Sequence, residues 1–196
     1  MSLDLLDWRR RVADLYAQVR AVAASDPLGA LAGFREGRDE LFGSHPESPI
    51  PETDRAGFAG LPWWPYDPAW RFEVLVHDRP AERLTVHSGT GEAFTLVRLG
   101  AVETPSGWLD VHWIDVYGGG LFLPVADATN GHDTYGGGRY LLDNVKGADL
   151  GGTRNTLVLD FNFAYHPSCA YDPRWSCPLA PPGNRLRGPV EAGERL

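Results

Sequence analysis

Cysteine is scarce in this chain: Cys169 and Cys177 are the only two among 196 residues. Two thiols cannot form the disulfide framework that staples small secreted folds, and a reducing compartment keeps them as thiols. Long hydrophobic runs are missing as well. No stretch approaches the ~20 apolar residues of a membrane-spanning helix. The opening MSLDLLDWRRRVADLYAQ mixes acids and arginines into its apolar residues, so it lacks the uninterrupted apolar region of a secretory signal. Positive charge is in deficit. A formal net charge of -8 and a pI near 5.2 repel a phosphate backbone or an anionic bilayer over most of the surface. The expectation is a soluble cytoplasmic protein whose partner is neither nucleic acid nor membrane.

What the chain has in quantity is glycine and proline, 23 and 16 residues, beside an ordinary 43% of hydrophobic residues. That composition favours a turn-rich, β-dominated body large enough to bury a core, and a single domain over 1–196. Its first part, 1–43, reads as helical. From Leu3 to Ala23 the apolar residues Leu5, Trp8, Val12, Leu15, Val19 and Val22 fall on one helical face. Asp26 followed by Pro27 is an N-cap with a first-turn proline, and Gly43 is a stop signal, so a second helix is expected over 27–42. Gly29, Gly33 and Gly37 weaken it.

In the second helix Leu31, Arg35, Arg38 and Phe42 share a face. Two guanidiniums then flank an apolar stripe. Either their stems lie along apolar surface with the heads in water or on structural carboxylates, or they form an anion clamp.

Residues 44–69 form a wrapping loop in which Pro46, Pro49, Pro51, Pro62, Pro65 and Pro68 exclude any regular element. Trp63, Trp64, Tyr66 and Trp70 give this loop large apolar area, which suits a lid or plug over the body, or an ordinary packed loop. Residues 70–196 read as the β body with long polar loops. Seven β-type runs, WRFEVLV, ERLTVHS, AFTLVRLG, WLDVHWIDVY, LFLPVAD, RYLLDNV and NTLVLDFNF, are separated by hairpin signals such as GTGE, TPSG and GGG. The fold class expected is mainly β: an antiparallel β-sandwich or partly open barrel with two N-terminal α-helices packed against it. In the last run Leu157, Leu159, Phe161 and Phe163 alternate onto one side and Asp160 and Asn162 onto the other. Arg139 is the ion-pair partner expected for Asp160.

Polar side chains concentrate from Asp127 to Leu186, interleaved with rings, glycines and prolines. A buried polar group without a partner costs roughly 1–3 kcal/mol, so these residues must satisfy one another, a ligand, or both.

The same segments carry a family resemblance. FREGRDELF at Phe34 to Phe42, GLPWWPYDPAWRF at Gly60 to Phe72, LFLPVADATNGHDTYGGGRYL at Leu121 to Leu141, LDFNFAYHPSCAY at Leu159 to Tyr171, and CPLAPPGNRL with EAGE beyond it stand in order. In these the chain resembles the domain of unknown function 1684 family over nearly its whole length. The resemblance implies signature positions at Arg35, Arg38, Asp39, Asp127, Thr129, Thr134, Tyr135, Arg139, Tyr140, Asp160, Asn162, Tyr165, Cys169, Tyr171, Cys177, Asn184, Arg185 and Glu194. His166 departs from it, since the family more often resembles Asn at that place. No activity comes with the family label.

Cys169 with His166 three residues earlier is the weak candidate for catalytic thiol chemistry, against a buried thiol acting as a small hydrophobe. The Cys169–Cys177 spacing is wider than a zinc knuckle, so no metal ligand is assigned. A metal-dependent enzyme would need ligands drawn from elsewhere. YGGGLF and TYGGGRY lack the GK[ST] ending of a phosphate-binding loop. No cofactor is designated. The reading that gathers most residues is a buried pocket for a small anionic metabolite, with or without chemistry upon it. Its ligand-binding set is Arg35, Arg38, Asp127, Thr129, Thr134, Tyr135, Arg139, Asp160, Asn162, Tyr165, Tyr171, Asn184 and Arg185, because a guanidinium with spare donors selects carboxylate or phosphate. The competing reading is a noncatalytic scaffold or interaction protein in which acids consume every arginine and the network is structural.

Overall fold

The computed structural model describes residues 2–196. Two long helices open the chain, α1 over Asp4–Val22 and α2 over Pro27–Ser44. In α1 the expected stripe is only partly used. Val19 is buried and Val12 and Leu15 are half-buried, but Leu5 and Val22 overhang the body at 50% and 38% exposure. Tyr16, one turn from Val12 and Val19 on the same face, is the most deeply buried residue of the helix together with Val19. At the start of α2 the Asp26 side chain accepts from the Gly29 amide at 2.9 Å, with Pro27 in the first turn. The helix runs through Gly43 to Ser44 and stops where His45 turns extended, two residues later than expected. The weakness at Gly37 serves packing: a Cβ there would stand 2.2 Å from a Leu15 methyl, so its absence lets α1 and α2 approach closely.

The Pro-rich loop is not wholly irregular. One turn of helix, α3 over Glu52–Arg55, follows Pro51, and a 3₁₀ turn over Pro68–Trp70 is capped by the Asp67 side chain, which accepts from Ala69 N at 2.9 Å. Proline is harmless at both starts, because the first amides of a helix have no internal partner.

Each of the seven β-type runs forms a strand: β1 Arg71–Leu75, β2 Arg83–His87, β3 Ala93–Thr104, β4 Gly107–Ile114, β5 Gly120–Val125, β6 Arg139–Asp143 and β7 Thr156–Asp160. All pairings are antiparallel. β2 to β6 make a five-stranded sheet in chain order, and β1 pairs with β7 in a separate two-stranded ribbon, with Phe72 opposite Leu159. The two sheets do not close into a barrel, an arrangement that suits sandwich-like packing. β5 carries Pro124 inside the sheet, where proline cannot donate to the ladder. The register shifts there, between Leu123 and Pro124. The free edge of β6 is covered by the segment around Tyr165, which exchanges two backbone hydrogen bonds with Tyr140 (2.8 and 3.0 Å).

The alternation expected through Phe163 breaks at Asp160. There β7 ends and Phe161–Phe163 forms a 3₁₀ turn, because the Asp160 side chain takes the Asn162 amide (3.0 Å) and side-chain nitrogen (2.8 Å). Phe161 and Phe163 are buried even so. The Phe34 ring packs edge-on against Tyr16 (5.2 Å between centroids), Phe163 (5.1 Å) and Trp63 (6.0 Å), joining both helices, the loop and the β body in one core.

Candidate binding site

Arg139 and Asp160 do not pair. They lie in different sheets. Arg139 Nη2 instead bonds Asp127 Oδ2 at 3.0 Å, and Asp160 faces Arg71. Arg139 is fully buried. Its remaining bonds hold the C-terminal segment: Nη2 donates to Val190 O (2.8 Å), and Nη1 to Ala192 O (2.5 Å) and Glu194 O (3.2 Å), while the guanidinium stacks over Trp64 at 5.3 Å. Burial pulls its pKa down and the Asp127 carboxylate opposes that pull. The other oxygen of Asp127 orders the loop, accepting from Thr129 N (2.8 Å), Thr129 Oγ1 (2.6 Å) and Val190 N (3.2 Å). Thr129 Oγ1 meets Thr134 Oγ1 at 2.8 Å. Nothing in this part of the predicted set is spare for an anion except Arg139 Nε, which has no partner.

Three more of the predicted residues are also engaged or remote. Asn162 bridges Asp160 to the backbone of Asp67 through two 2.9 Å bonds. Asn184 is fully buried and donates to Pro124 O (2.8 Å) and Asp110 O (2.9 Å), which meets the carbonyls left by the β5 irregularity. Arg185 is exposed and joins the body only through a backbone bridge to Ala126.

A second cluster centres on Glu194, which is completely buried. Its Oε2 accepts from Arg38 Nη2 (3.0 Å) and His166 N (3.1 Å), and Oε1 accepts the Tyr171 hydroxyl. Gly193 allows this placement. Its φ of +84° is left-handed, and a Cβ would lie 2.5 and 2.6 Å from the carbonyl oxygens of Phe161 and Ala164. His166 Nε2 accepts from the Tyr135 amide at 3.2 Å, so the ring proton sits on Nδ1, 3.5 Å from Glu194 Oε1. This leaves His166 no nitrogen with which to activate Cys169. The Cys169 thiol faces Cys177 and the Tyr135 hydroxyl. Hydrogen bonding with Cys177, then burial, push its pKa up, the opposite of a primed nucleophile. Cys177 is pulled down by the Cys169 thiol and also by the Lys146 charge.

Arg38 is held among rings as well as by Glu194: its guanidinium lies 4.7 Å from Phe42 and 4.9 Å from Tyr165. Arg35, half-buried, donates to Trp64 O (2.7 Å) and stacks on Trp63 (5.1 Å). Desolvation lowers its pKa against the pull of Asp39. The two arginines of one helix face thus divide, one to a carboxylate and one to the wrapping loop.

Between α1, α2, β6 and the Tyr165–Ser168 segment lies a cavity of about 50 Å³, walled by Trp8, Val12, Phe42 and Pro167. Tyr16, Arg38, Tyr165 and Lys146 also line it. Lys146, the sole lysine of the chain, is exposed and borders an adjoining hollow of about 80 Å³ as well. Two buried atoms of lining residues, the Tyr16 hydroxyl and Arg38 Nε, have no hydrogen-bond partner. Burial holds Tyr16, Tyr140 and Tyr165 well above the ordinary phenol pKa, so all three keep their protons. Tyr140 spends its proton on Pro178 O (2.7 Å), which leaves the Tyr16 hydroxyl and Arg38 Nε as the spare buried donors. Sequence reasoning passed over Tyr16, which reads as one more member of an amphipathic stripe, and Lys146, which sits alone in a turn. Among the described residues no group of three or more His, Cys, Asp or Glu side chains converges to hold a metal ion, and no helix is long and apolar enough to cross a membrane.

An uncharacterised protein of Haloarcula marismortui, solved by solution NMR, is similar at 32% identity with a TM-score of 0.60, over 88% of this chain and 96% of its own. No curated protein matches. The family described as protein of unknown function (DUF1684) matches residues 56–195, which takes in the Asp127, Arg139 and Glu194 networks but leaves out α1 and α2, with Arg35 and Arg38. The expected resemblance over nearly the whole length thus narrows to the loop and β body for the family. The chain belongs to this family of proteins of unknown function.

Proposed function

We propose that the protein binds a small anionic metabolite, through a carboxylate or phosphate oxygen seated in the cavity between the helices and the β body. The observation that carries this reading is the pair of unpartnered buried groups, the Tyr16 hydroxyl and Arg38 Nε, of residues that line a cavity also bordered by Lys146. An oxygen acceptor offers both groups a partner, and the positive charge of Lys146 at the border favours an anion. Of the residues first singled out, Arg38 and Tyr165 would touch the ligand. Glu194, Tyr171 and His166 would fix Arg38 from behind. Asp127, Thr129, Thr134 and Arg139 would hold the frame.

Native mass spectrometry of freshly isolated protein, followed by calorimetric titration with acetate and inorganic phosphate, tests the reading. Tyr16→Phe is expected to lower affinity about tenfold while leaving the unliganded protein as stable or more so, because it removes an unsatisfied hydroxyl. Loss of stability with unchanged affinity would show a structural tyrosine and end the proposal.

The scaffold reading draws support from a specific observation too, since Arg139 has every nitrogen but Nε engaged by protein. It predicts a protein that carries no metabolite and whose polar network, the Asp127–Arg139 pair included, is purely structural.

A further inference from the structure

A second, roomier cleft plays no part in the site above. It measures about 350 Å³ and opens between the C-terminal half of α1, the β1–β7 ribbon and the loop at Leu150–Gly152. That is room for a whole small ligand, where the cavity above admits little more than one anionic group. Its floor is hydrocarbon, supplied by Val19, Leu150, Val158 and Phe163, and Arg20, Arg71 and Asp160 stand on its walls.

The charges there are incompletely matched. Asp160 is buried at 2% exposure, and its Oδ1 is occupied by the two nitrogens of Asn162. Its Oδ2 meets Arg71 Nε only at 3.7 Å, beyond hydrogen-bond distance. Arg20 uses Nη1 on Asp149 O at 2.6 Å. The planar donor forks of Arg71 and Arg20 are thus mostly free, and among the lining residues one acid stands opposite two cations, the Asp149 carboxylate being turned to the Gly151 amide (2.9 Å). Burial, and the Asp160 charge after it, raise the pKa of nearby Tyr66, which stays a neutral hydroxyl. Gly151 contributes by what it lacks: a Cβ there would crowd the Arg20 stem at 3.3 Å.

We propose that this cleft is a second binding site, taking a small monocarboxylate with an apolar body. Its carboxylate is held by Arg71 and Arg20, and its body lies over Val19, Leu150, Val158 and Phe163. A single negative charge matches the surplus of one cation, whereas a phosphate dianion would be repelled by the buried Asp160. The apolar floor excludes small hydrophilic anions as the preferred class.

Amide NMR titration of the full chain with phenylacetate and its neutral isostere phenylacetamide tests the assignment. Phenylacetate is expected to bind in the millimolar range or tighter, with shifts centred on the C-terminal half of α1, β7 and the Leu150–Gly152 loop, and the amide to bind at least about tenfold more weakly. Arg71→Gln should cost the acid a similar factor. Arg20→Gln, at an exposed position, should weaken it too without endangering β1. Tyr16→Phe, in the other cavity, should leave phenylacetate affinity unchanged. Equal binding of acid and amide, no binding of the acid at millimolar concentration, or unchanged affinity in both arginine variants would overturn the proposal.

Discussion

Arg139 shows how much a single residue can hold. A fully buried guanidinium survives only where charge and hydrogen bonds compensate for lost water. Here Asp127 supplies the charge, and the carbonyls of Val190, Ala192 and Glu194 supply the acceptors. Arg139→Met leaves the buried Asp127 without its cationic partner, and is expected to cost about 3–5 kcal/mol in chemical denaturation. Adding Asp127→Asn should recover a large part of that loss, and failure to recover it would mean that the carbonyl contacts dominate. His112 makes a different prediction. It is wholly buried beside Arg98, and desolvation above all lowers its pKa below the ordinary 6.5. The folded state then favours the neutral ring. Its contribution is fully present above about pH 6.5 and is lost as pH falls below that value, because the unfolded chain takes up the proton first. His112→Leu should flatten the stability profile on the acid side of pH 6.5, read from melting temperatures across a pH series.

The elements were legible because their signals are local. The Asp26–Pro27 cap, the apolar spacing of α1 and the seven β-type runs with glycine turns act within a few residues and need no tertiary partner. The misreadings arose where a side chain outcompeted a pattern. Asp160 ends β7 by capping the turn after it, and Gly43 stays helical because nothing forces the chain to leave. Glycine marks the element-scale feature that sets the candidate site. At Gly193 a Cβ meets two backbone carbonyls that cannot move without disturbing the Phe161–Phe163 turn. Gly193→Ala is therefore expected to cost about 1–3 kcal/mol in backbone strain and to displace Glu194 from Arg38. Thermal unfolding reads the first effect. The second would appear as loss of amide exchange protection at His166, whose N–H bonds Glu194.

At the scale of the whole molecule, the C-terminal segment acts as a strap between layers. Glu194 reaches Arg38 of α2, its amide bonds Ala164 O at 2.9 Å, and its neighbours occupy Arg139. Removing residues 191–196 would leave Arg38 without its carboxylate and Arg139 without two acceptors. The truncated chain should lose its cooperative thermal transition and expose the helix–sheet core to a hydrophobic dye. A sharp transition at the wild-type temperature would show that the strap is dispensable. The Pro-rich segment joins the same arrangement from outside, as expected of a wrapping loop, with Trp64 over Arg139 and Trp63 beside Phe34. Of the predicted site residues, Arg38, Tyr165 and Tyr171 do converge, with the signature residue Glu194 between Arg38 and Tyr171, whereas Arg185 stands apart and Asn184 supports β5.

Composition, periodicity and turn chemistry by themselves determined that this chain folds into an antiparallel β body with two helices at its start and a dense polar stretch in its second half. Those rules act over distances of a few residues along the chain. Which acid meets which arginine, and which hydroxyl is left without a partner, only the tertiary structure decided. The acid–arginine bonds concerned join residues 12 and 156 positions apart, and no local pattern encodes the neighbour that packing brings to a buried charge.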